Sequence, residues 1–373
     1  QPPRYDGRGR YRSPEEIEEA RKAGLPITIR LKVPDHGTVS FEDEVRGKVS
    51  FELKEIDDFV ILKSDQMPTY HLAHIVDDKA MGITHVIRAE EWISSTPRHL
   101  LIHEALGIEP PIYVHASLIL GKDRSKLGKR HGATSALEYR DRGYLADAVF
   151  NFIALLGWSP GDDTEVMSRD EIVRRFSIDR INDSPAIFDN EKLEWMNGVY
   201  IRNMSVDALV AELLPFMERP EAEGGLLDTV FRPIDRDYLT RLIPLVQERL
   251  KLLTEGAETL DFFFADNVNP AAEDLPGRNM DADMTERALN AALELCRMVA
   301  PFEPEHLEAE YRALAEKVEM KPGQLFSPIR VAITGKSFAP PLFDTMSAIG
   351  QDRCIERIEN AILILRSAAV KGT

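Results

Sequence analysis

The sequence predicts two architectures in one chain: an α/β half on a partial, doubly wound parallel sheet, then an all-α half. Three observations predict this. Between residues 58 and 120, short apolar runs alternate with helical stretches at short loop lengths, the β-α-β-α-β signature of a parallel sheet. From Ser205 onwards apolar residues recur at helical spacing, and no strand run of comparable quality appears. A length of 373 residues leaves room for two or three domains.

Arg4–Arg10 reads as a turn, and Ser13-Pro14-Glu15-Glu16 as a helix start with acids in its first turn, ending near Ala23 and Gly24. Ile27–Val33 and Val39–Phe51 alternate apolar and polar residues and are expected to be antiparallel strands. Phe59–Leu62 is a continuous apolar run, fit for a strand buried on both faces. A helix follows over Thr69–Met81, stopped by Gly82, then a strand over Ile83–Ile87. Thr96-Pro97 opens the next helix, which runs to Leu106 before Gly107, and Ile112–His115 is the third strand. Beyond it, Ser135–Tyr139, Leu145–Leu156, Arg169–Phe176 and Phe188–Gly198 read as helices. The all-α half has helical spacing over Val206–Met217, Tyr238–Leu253, Met284–Val299, His306–Val318, Phe326–Ile333 and Arg353–Arg366, with a linker at Asp266–Ala282.

The composition, 43% hydrophobic and 29% charged, is that of an ordinary globular protein. No stretch is long and apolar enough for a membrane span, and no signal pattern opens the chain. Cys296 and Cys354 are too few and too isolated for a disulfide framework or metal site, so a reducing cytoplasm is expected. The first residues, Gln1-Pro2-Pro3, suggest a processed chain or a fragment.

Against a net charge of −17, five of the nine residues from Lys122 to Arg130 are basic. Such runs are usually solvated surface, and the glycine-rich phosphate-loop pattern is not met here, since Asp123 stands at its first glycine and Arg130 at its Ser or Thr. Position favours a site. In parallel sheets, ligands bind beyond the carboxyl ends of the strands. Tyr70 and His74 share one helix face there, Arg88–Trp92 follows the second strand, and the lysine-rich loop follows the third. Each residue also has a plain structural reading: Tyr70 as a packed aromatic, His74 as an interface histidine, Arg88 and Glu91 as an ion pair, Trp92 as core.

Pro68–Asp78, Gly82–Trp92 and Lys126–Gly132, in that order, resemble bacterial glutamyl-tRNA synthetase, a class I aminoacyl-tRNA synthetase. Phe188–Gly198 and Pro328–Gly335 resemble its tRNA-stem and anticodon segments, and the likeness runs over essentially the whole chain. It implies a Rossmann-like catalytic sheet, ATP with Mg²⁺, L-glutamate and tRNA(Glu) as substrates, and a cytoplasmic monomer with no membrane partner. It also implies four parts: residues 1–57 as the remainder of an inserted acceptor-stem-binding α+β part, 58–120 as the second half of the sheet, 121–204 as lysine loop and stem contact, and 205–373 as the anticodon-binding domain. Lys126 and Lys129 would be catalytic, neutralising charge on the leaving pyrophosphate. Tyr70, His74, Arg88 and Glu91 would line the glutamate pocket, with Arg88 able to grip a carboxylate bidentately. Trp92, the backbone at Leu118 and Ile119, Lys126 and Lys129 would adjoin ATP.

The sequence departs from the family at four places. The N-terminal half-sheet with its His-Ile-Gly-His type motif has no counterpart, which implies that this chain alone does not activate glutamate. Gly128 replaces the usual serine of the loop, and His74 stands where asparagine is common. Gly9 and Tyr11 occupy positions of a zinc site in many members, so no zinc is expected. The alternatives are a non-catalytic tRNA-binding fragment or paralogue, a glutaminyl-tRNA synthetase relative, which would be expected to end in β-barrels, or an unrelated nucleotide-binding α/β protein.

Overall fold

A computed structural model describes residues 5–128 and 135–371. Helix α1 (Pro14–Lys22) opens on a reciprocal cap: Ser13 Oγ accepts the Glu16 amide, and the Glu16 carboxylate accepts the Ser13 amide. Then come β1 (Ile29–Arg30), β2 (Thr38–Asp43), β3 (Gly47–Glu52), β4 (Val60–Leu62), α2 (Tyr70–Met81), β5 (His85–Ala89), α3 (Thr96–Leu106), β6 (Ile112–Ala116) and β7 (Ile119–Leu120). After them run α4 (Ala136–Asp141), α5 (Ala146–Gly157), α6 (Arg169–Arg175) and β8 (Ala186–Ile187). The described remainder is helical: α7 (Asn190–Asn203), α8 (Val206–Met217), α9 (Arg236–Val246), α10 (Glu255–Phe264), α11 (Ala282–Met298), α12 (Pro304–Lys317), α13 (Pro322–Thr334), α14 (Leu342–Ile349) and α15 (Gln351–Lys371).

Two compact units divide the chain, Gln1–Gly132 with Phe150–Asp189, and Ala133–Val149 with Asn190–Thr373. In the first, β5 and β6 pair in parallel from His85↔Ile112 to Ala89↔Ala116, as the alternating pattern predicts. Their neighbour is not the expected one. The sheet order is β3-β2-β6-β5, with β2 joined in parallel to β6 at Asp43↔Tyr113. The apolar run ending in β4 instead pairs antiparallel with β1, and its residues are only half-buried. A four-residue apolar run cannot declare its partner, and this one spends its backbone locally: the Phe59 carbonyl accepts the Leu31 amide and the Ile61 carbonyl accepts the Thr69 amide.

The stretch expected as one strand over Val39–Phe51 is a hairpin of β2 and β3. Asp43 turns it: Oδ1 accepts the amides of Val45 and Arg46, and Gly47 takes φ +67°. Side-chain packing in this unit centres on Val33, Leu53 and Leu101 in one place and on Trp158, Met167 and Ile172 in another.

The second unit is a helical core around Leu209, Leu213, Leu239, Leu242, Leu289, Ile329 and Ile358, all fully buried. Gly198, expected to stop a helix, lies inside α7. A Cβ there would lie 3.1 Å from the mobile end of the Arg202 side chain and in ordinary contact, 3.5 Å, with the Leu250 carbonyl. Helices α10 and α14 were not expected. Arg357 on α15 is 1% exposed and donates to the carbonyls of Ile333, Phe262 and Ala265, at the C-terminal ends of α13 and α10.

Candidate active site

Strands β2, β5 and β6 end side by side, and each places one polar residue there. Asp43 closes β2, Arg88 is the penultimate residue of β5, and His115 sits beside it on β6. Asp43 is 3% and His115 0% exposed. His115 Nδ1 lies 2.6 Å from Asp43 Oδ2, and Asp43 also accepts the backbone amides of Val45, Arg46 and His115. Burial pushes the Asp43 carboxyl up, but these hydrogen bonds outweigh it and hold the carboxyl below the usual range. Burial lowers the His115 imidazole, against the pull of Asp43. The pair is therefore a carboxylate and a neutral imidazole.

Arg88 is anchored along one edge of its guanidinium. Nε donates to His115 Nε2 at 3.0 Å, and an η nitrogen donates to Thr96 Oγ1 at 2.8 Å. Along the adjacent edge, which shares the η nitrogen bonded to Thr96, both η nitrogens lie 3.4 Å from His99 Nδ1, a long and shared contact. The faces are aromatic, with Trp92 and Tyr113 centroids at 5.6 and 5.4 Å. Burial lowers the Arg88 pKa, yet a guanidinium stays charged.

Helix α2 brings the next layer. Thr69 donates its hydroxyl to the Val60 carbonyl, which seats the first helical residue, Tyr70, over the strand ends. The Tyr70 ring stacks on His74 at 4.7 Å and 13° and lies 5.2 Å from Trp92. His74 Nδ1 bonds the Tyr70 carbonyl at 2.9 Å. His71 Nδ1 lies 2.9 Å from His99 Nε2, and burial drives the His99 pKa to about 2. A neutral His99 that accepts from Arg88 at Nδ1 has its proton on Nε2 and donates to His71.

The lysine-rich loop leaves β7 as a tight return. Gly121 and Leu127 amides donate to the Ser125 and Ile119 carbonyls at 2.9 Å, and Arg124 adopts φ +59°. The return carries Lys126 to Glu91, 2.5 Å away, while Glu90 pairs with Arg46 at 2.8 Å. The Ile119 carbonyl is thus already bonded, and Ile119 also pairs with Ala186 of β8. Leu118 precedes it, half-buried. Among the described residues, a Cβ at Gly128 would come no nearer than 4.0 Å, to the Lys126 carbonyl. Lys129 lies outside the described residues.

Tyr70, His74, Arg88 and Trp92 therefore come together as one cation–aromatic cluster, with Glu91 and Lys126 as a pair. Sequence reasoning missed Asp43, Thr96, His99 and His115. The available signal was an Asp in phase with the inward-facing Val39 and Phe41 of an alternating strand, and a His inside the apolar strand Tyr113–Ala116. Among the described residues, no group of three or more His, Cys, Asp or Glu is placed to hold a metal ion. The cluster suits an anionic ligand with a planar partner: a half-buried, anchored cation, stacked rings, and a lysine on a separate loop.

Comparisons with known proteins bear on the family of the chain. The family described as "tRNA synthetases class I (E and Q), catalytic domain" matches residues 1–195, and "Anticodon binding domain" matches residues 208–362. A glutamate–tRNA ligase of Dehalococcoides mccartyi is 45% identical over 364 residues, 97% of this chain and 72% of that protein. One from Roseiflexus castenholzii is also 45% identical, over 97% of this chain and 73% of its own length. The crystal structure of a glutamate–tRNA ligase from Elizabethkingia meningosepticum, in complex with its amino acid, superposes with a TM-score of 0.84 at 31% identity, over 97% of this chain and 74% of that one.

Proposed function

This chain belongs to the class I glutamate–tRNA ligases, and from that premise we propose how its residues divide the reaction. A glutamate–tRNA ligase activates glutamate with ATP to glutamyl-adenylate and transfers the glutamyl group to the 3′ end of tRNA. The observation that carries the assignment is 45% identity over 97% of the chain.

Arg88 is the glutamate anchor. Its two short bonds to His115 and Thr96 fix one edge, and a substrate carboxylate replaces the long contacts to His99 on the adjacent edge. Tyr70 and His74, stacked on one another, and Glu91 complete the wall of that pocket. Trp92 and the backbone at Leu118 and Ile119 adjoin the adenosine part of ATP.

In the activation step a glutamate α-carboxylate oxygen bonds to the α-phosphorus, and the bond to the pyrophosphate oxygen breaks. Negative charge grows on the departing pyrophosphate. Lys126 leaves Glu91 and, with Lys129, neutralises that charge. Mg²⁺ accompanying ATP would supply further screening of the phosphates, beside the two lysines.

Residues 121–204 contact the tRNA stem and 205–373 the anticodon; the acceptor end lies toward residues 1–57, of which β2 and β3 share the sheet. In the helical unit a cleft of about 310 Å³ is lined by Arg249, Lys251, Lys336 and Phe338, with Glu255 and Glu258 among them. Phe338 is 82% exposed and lies 5.0 Å from the Arg249 guanidinium, an arrangement suited to stacking a base beside a phosphate. The protein works as a cytoplasmic monomer.

The test is ATP–pyrophosphate exchange by the complete polypeptide with tRNA(Glu). Exchange should depend on glutamate and be absent with glutamine; exchange driven by glutamine, or by neither amino acid, sinks the assignment.

A further inference from the structure

The glutamate anchor just proposed has a cation that must face its ligand the same way in every molecule. Arginine has several rotatable bonds, so something must hold it. The anchor's Nε–H bonds to an imidazole nitrogen, and an imidazole nitrogen accepts only when its proton is on the other ring nitrogen. That other nitrogen, Nδ1 of His115, lies 2.6 Å from Asp43 Oδ2. Asp43 is itself fixed, because its carboxylate accepts the backbone amides of Val45, Arg46 and His115. Thr96 completes the set: its hydroxyl donates to the Trp92 carbonyl and so presents a lone pair to the η nitrogen of Arg88.

We propose that Asp43 and His115 are positioning residues for glutamate recognition: Asp43 sets the His115 tautomer, and the tautomer aims Arg88. The inference rests on Arg88 being a glutamate contact. It extends that reading to two residues that touch no substrate, 45 and 27 positions from Arg88 in the chain. Their burial gives the pair no other ligand to serve, with both side chains at 0% exposure. A protonated His115 would set N–H against N–H at Arg88 and place two cations in contact. The lowered pKa of His115 agrees with a neutral ring.

Substitutions separate positioning from packing. In Asp43→Asn the amide oxygen stays with the backbone amides, so the –NH₂ group faces His115 Nδ1. The proton then moves to Nε2, opposite the Arg88 Nε–H. In His115→Gln the amide oxygen reaches about where Nε2 was and still accepts from Arg88. In His115→Asn the amide can serve Asp43 but not Arg88.

Two measurements on the complete ligase decide the matter. Nitrogen-15 NMR of labelled histidine should show His115 as the Nδ1–H tautomer, changed to Nε2–H in Asp43→Asn. In pyrophosphate exchange with tRNA(Glu) present, Asp43→Asn and His115→Asn should raise the glutamate KM roughly tenfold to a hundredfold, with the ATP KM unchanged. His115→Gln should restore most of the loss. Equal losses in the Gln and Asn variants, or a glutamate KM in Asp43→Asn equal to wild type, would overturn the proposal. Arg88→Lys is the control for the underlying reading. If it leaves the glutamate KM unchanged, Arg88 is not the anchor. If it raises that KM while the Asp43 and His115 variants do not, Arg88 stands and the positioning role falls. Should Asp43→Asn fail to fold, the His115→Gln and His115→Asn comparison alone decides between the two outcomes.

Discussion

Lys126 and Glu91 lie 2.5 Å apart, but their side chains are 59% and 47% exposed, so their attraction is screened by water. Such a pair contributes about 0–1 kcal/mol, far less than a polyphosphate offers a lysine in a water-poor site. On the proposed reading the pair is a resting place that ATP would empty, while the loop keeps its shape through the Gly121–Ser125 and Leu127–Ile119 backbone bonds. Lys126→Ala should lower the glutamate-dependent exchange rate by roughly a hundredfold and shift stability by less than about 0.5 kcal/mol. Exchange kinetics and urea unfolding on one preparation check both halves; a loss of rate that tracks a loss of fold would reject the electrostatic role. At this scale the site was legible where residues lie close in sequence. Tyr70 and His74 share a helix face by spacing alone, and Arg88–Trp92 follows its strand directly. Asp43 and His115 were not legible, because 72 residues separate them and only the pairing of β2 with β6 brings them together.

Arg357 shows what an element costs when its last turn is buried. Helices α10 and α13 both end inside the core, where their final carbonyls have no helical partner. One guanidinium on α15 meets both, donating to Phe262 and Ala265 at one end and to Ile333 at the other. Arg357→Met keeps most of the side-chain volume and removes these bonds, leaving buried carbonyls unpaired. It should destabilise the helical unit by about 3 kcal/mol, read as a lower midpoint in urea for the helical transition; an unchanged midpoint would mean that water takes the carbonyls instead. The same contrast decides what could be read at the scale of elements. Helices declared themselves through local chemistry: the Ser13 cap, Pro97 near the start of α3, and Gly82 and Gly107 in the left-handed region; Thr96, expected as the N-cap, is instead the first helical residue after Ser95. Helices α10 and α14 escaped although their apolar residues keep a helical period, because neither opens on a capping side chain or an N1 proline to announce it. The β4 run reads as a sheet strand because a short apolar run carries no record of its partner, and Arg357 looks like any polar residue of an amphipathic helix.

On the scale of the molecule, the alternating then all-helical pattern foretold one sheet-bearing and one helical unit, since it reflects what each part must bury. How stability divides with pH was not foretold, because it depends on which histidines the fold shuts away. Burial lowers His71, His99, His103 and His115 of the sheet-bearing unit, His99 to about 2. Unfolded, each would bind a proton near pH 6.5; folded, each does so only at lower pH. The unfolded state therefore holds more protons below about 6.5, and stability falls as pH drops through that value and is flat above it. For His99 alone the slope is about 1.4 kcal/mol per pH unit. The net charge of −17 works the other way, since acid relieves self-repulsion as carboxylates take up protons. A pH scan of wild type alone would mix the two effects. His99→Gln keeps the overall charge at pH 7.5 but has no proton to gain, so between pH 7.5 and 5.5 its melting temperature should fall less than that of wild type. If both proteins lose the same amount, His99 gains its proton in the folded state as readily as in the unfolded one, and its burial does not govern the acid response.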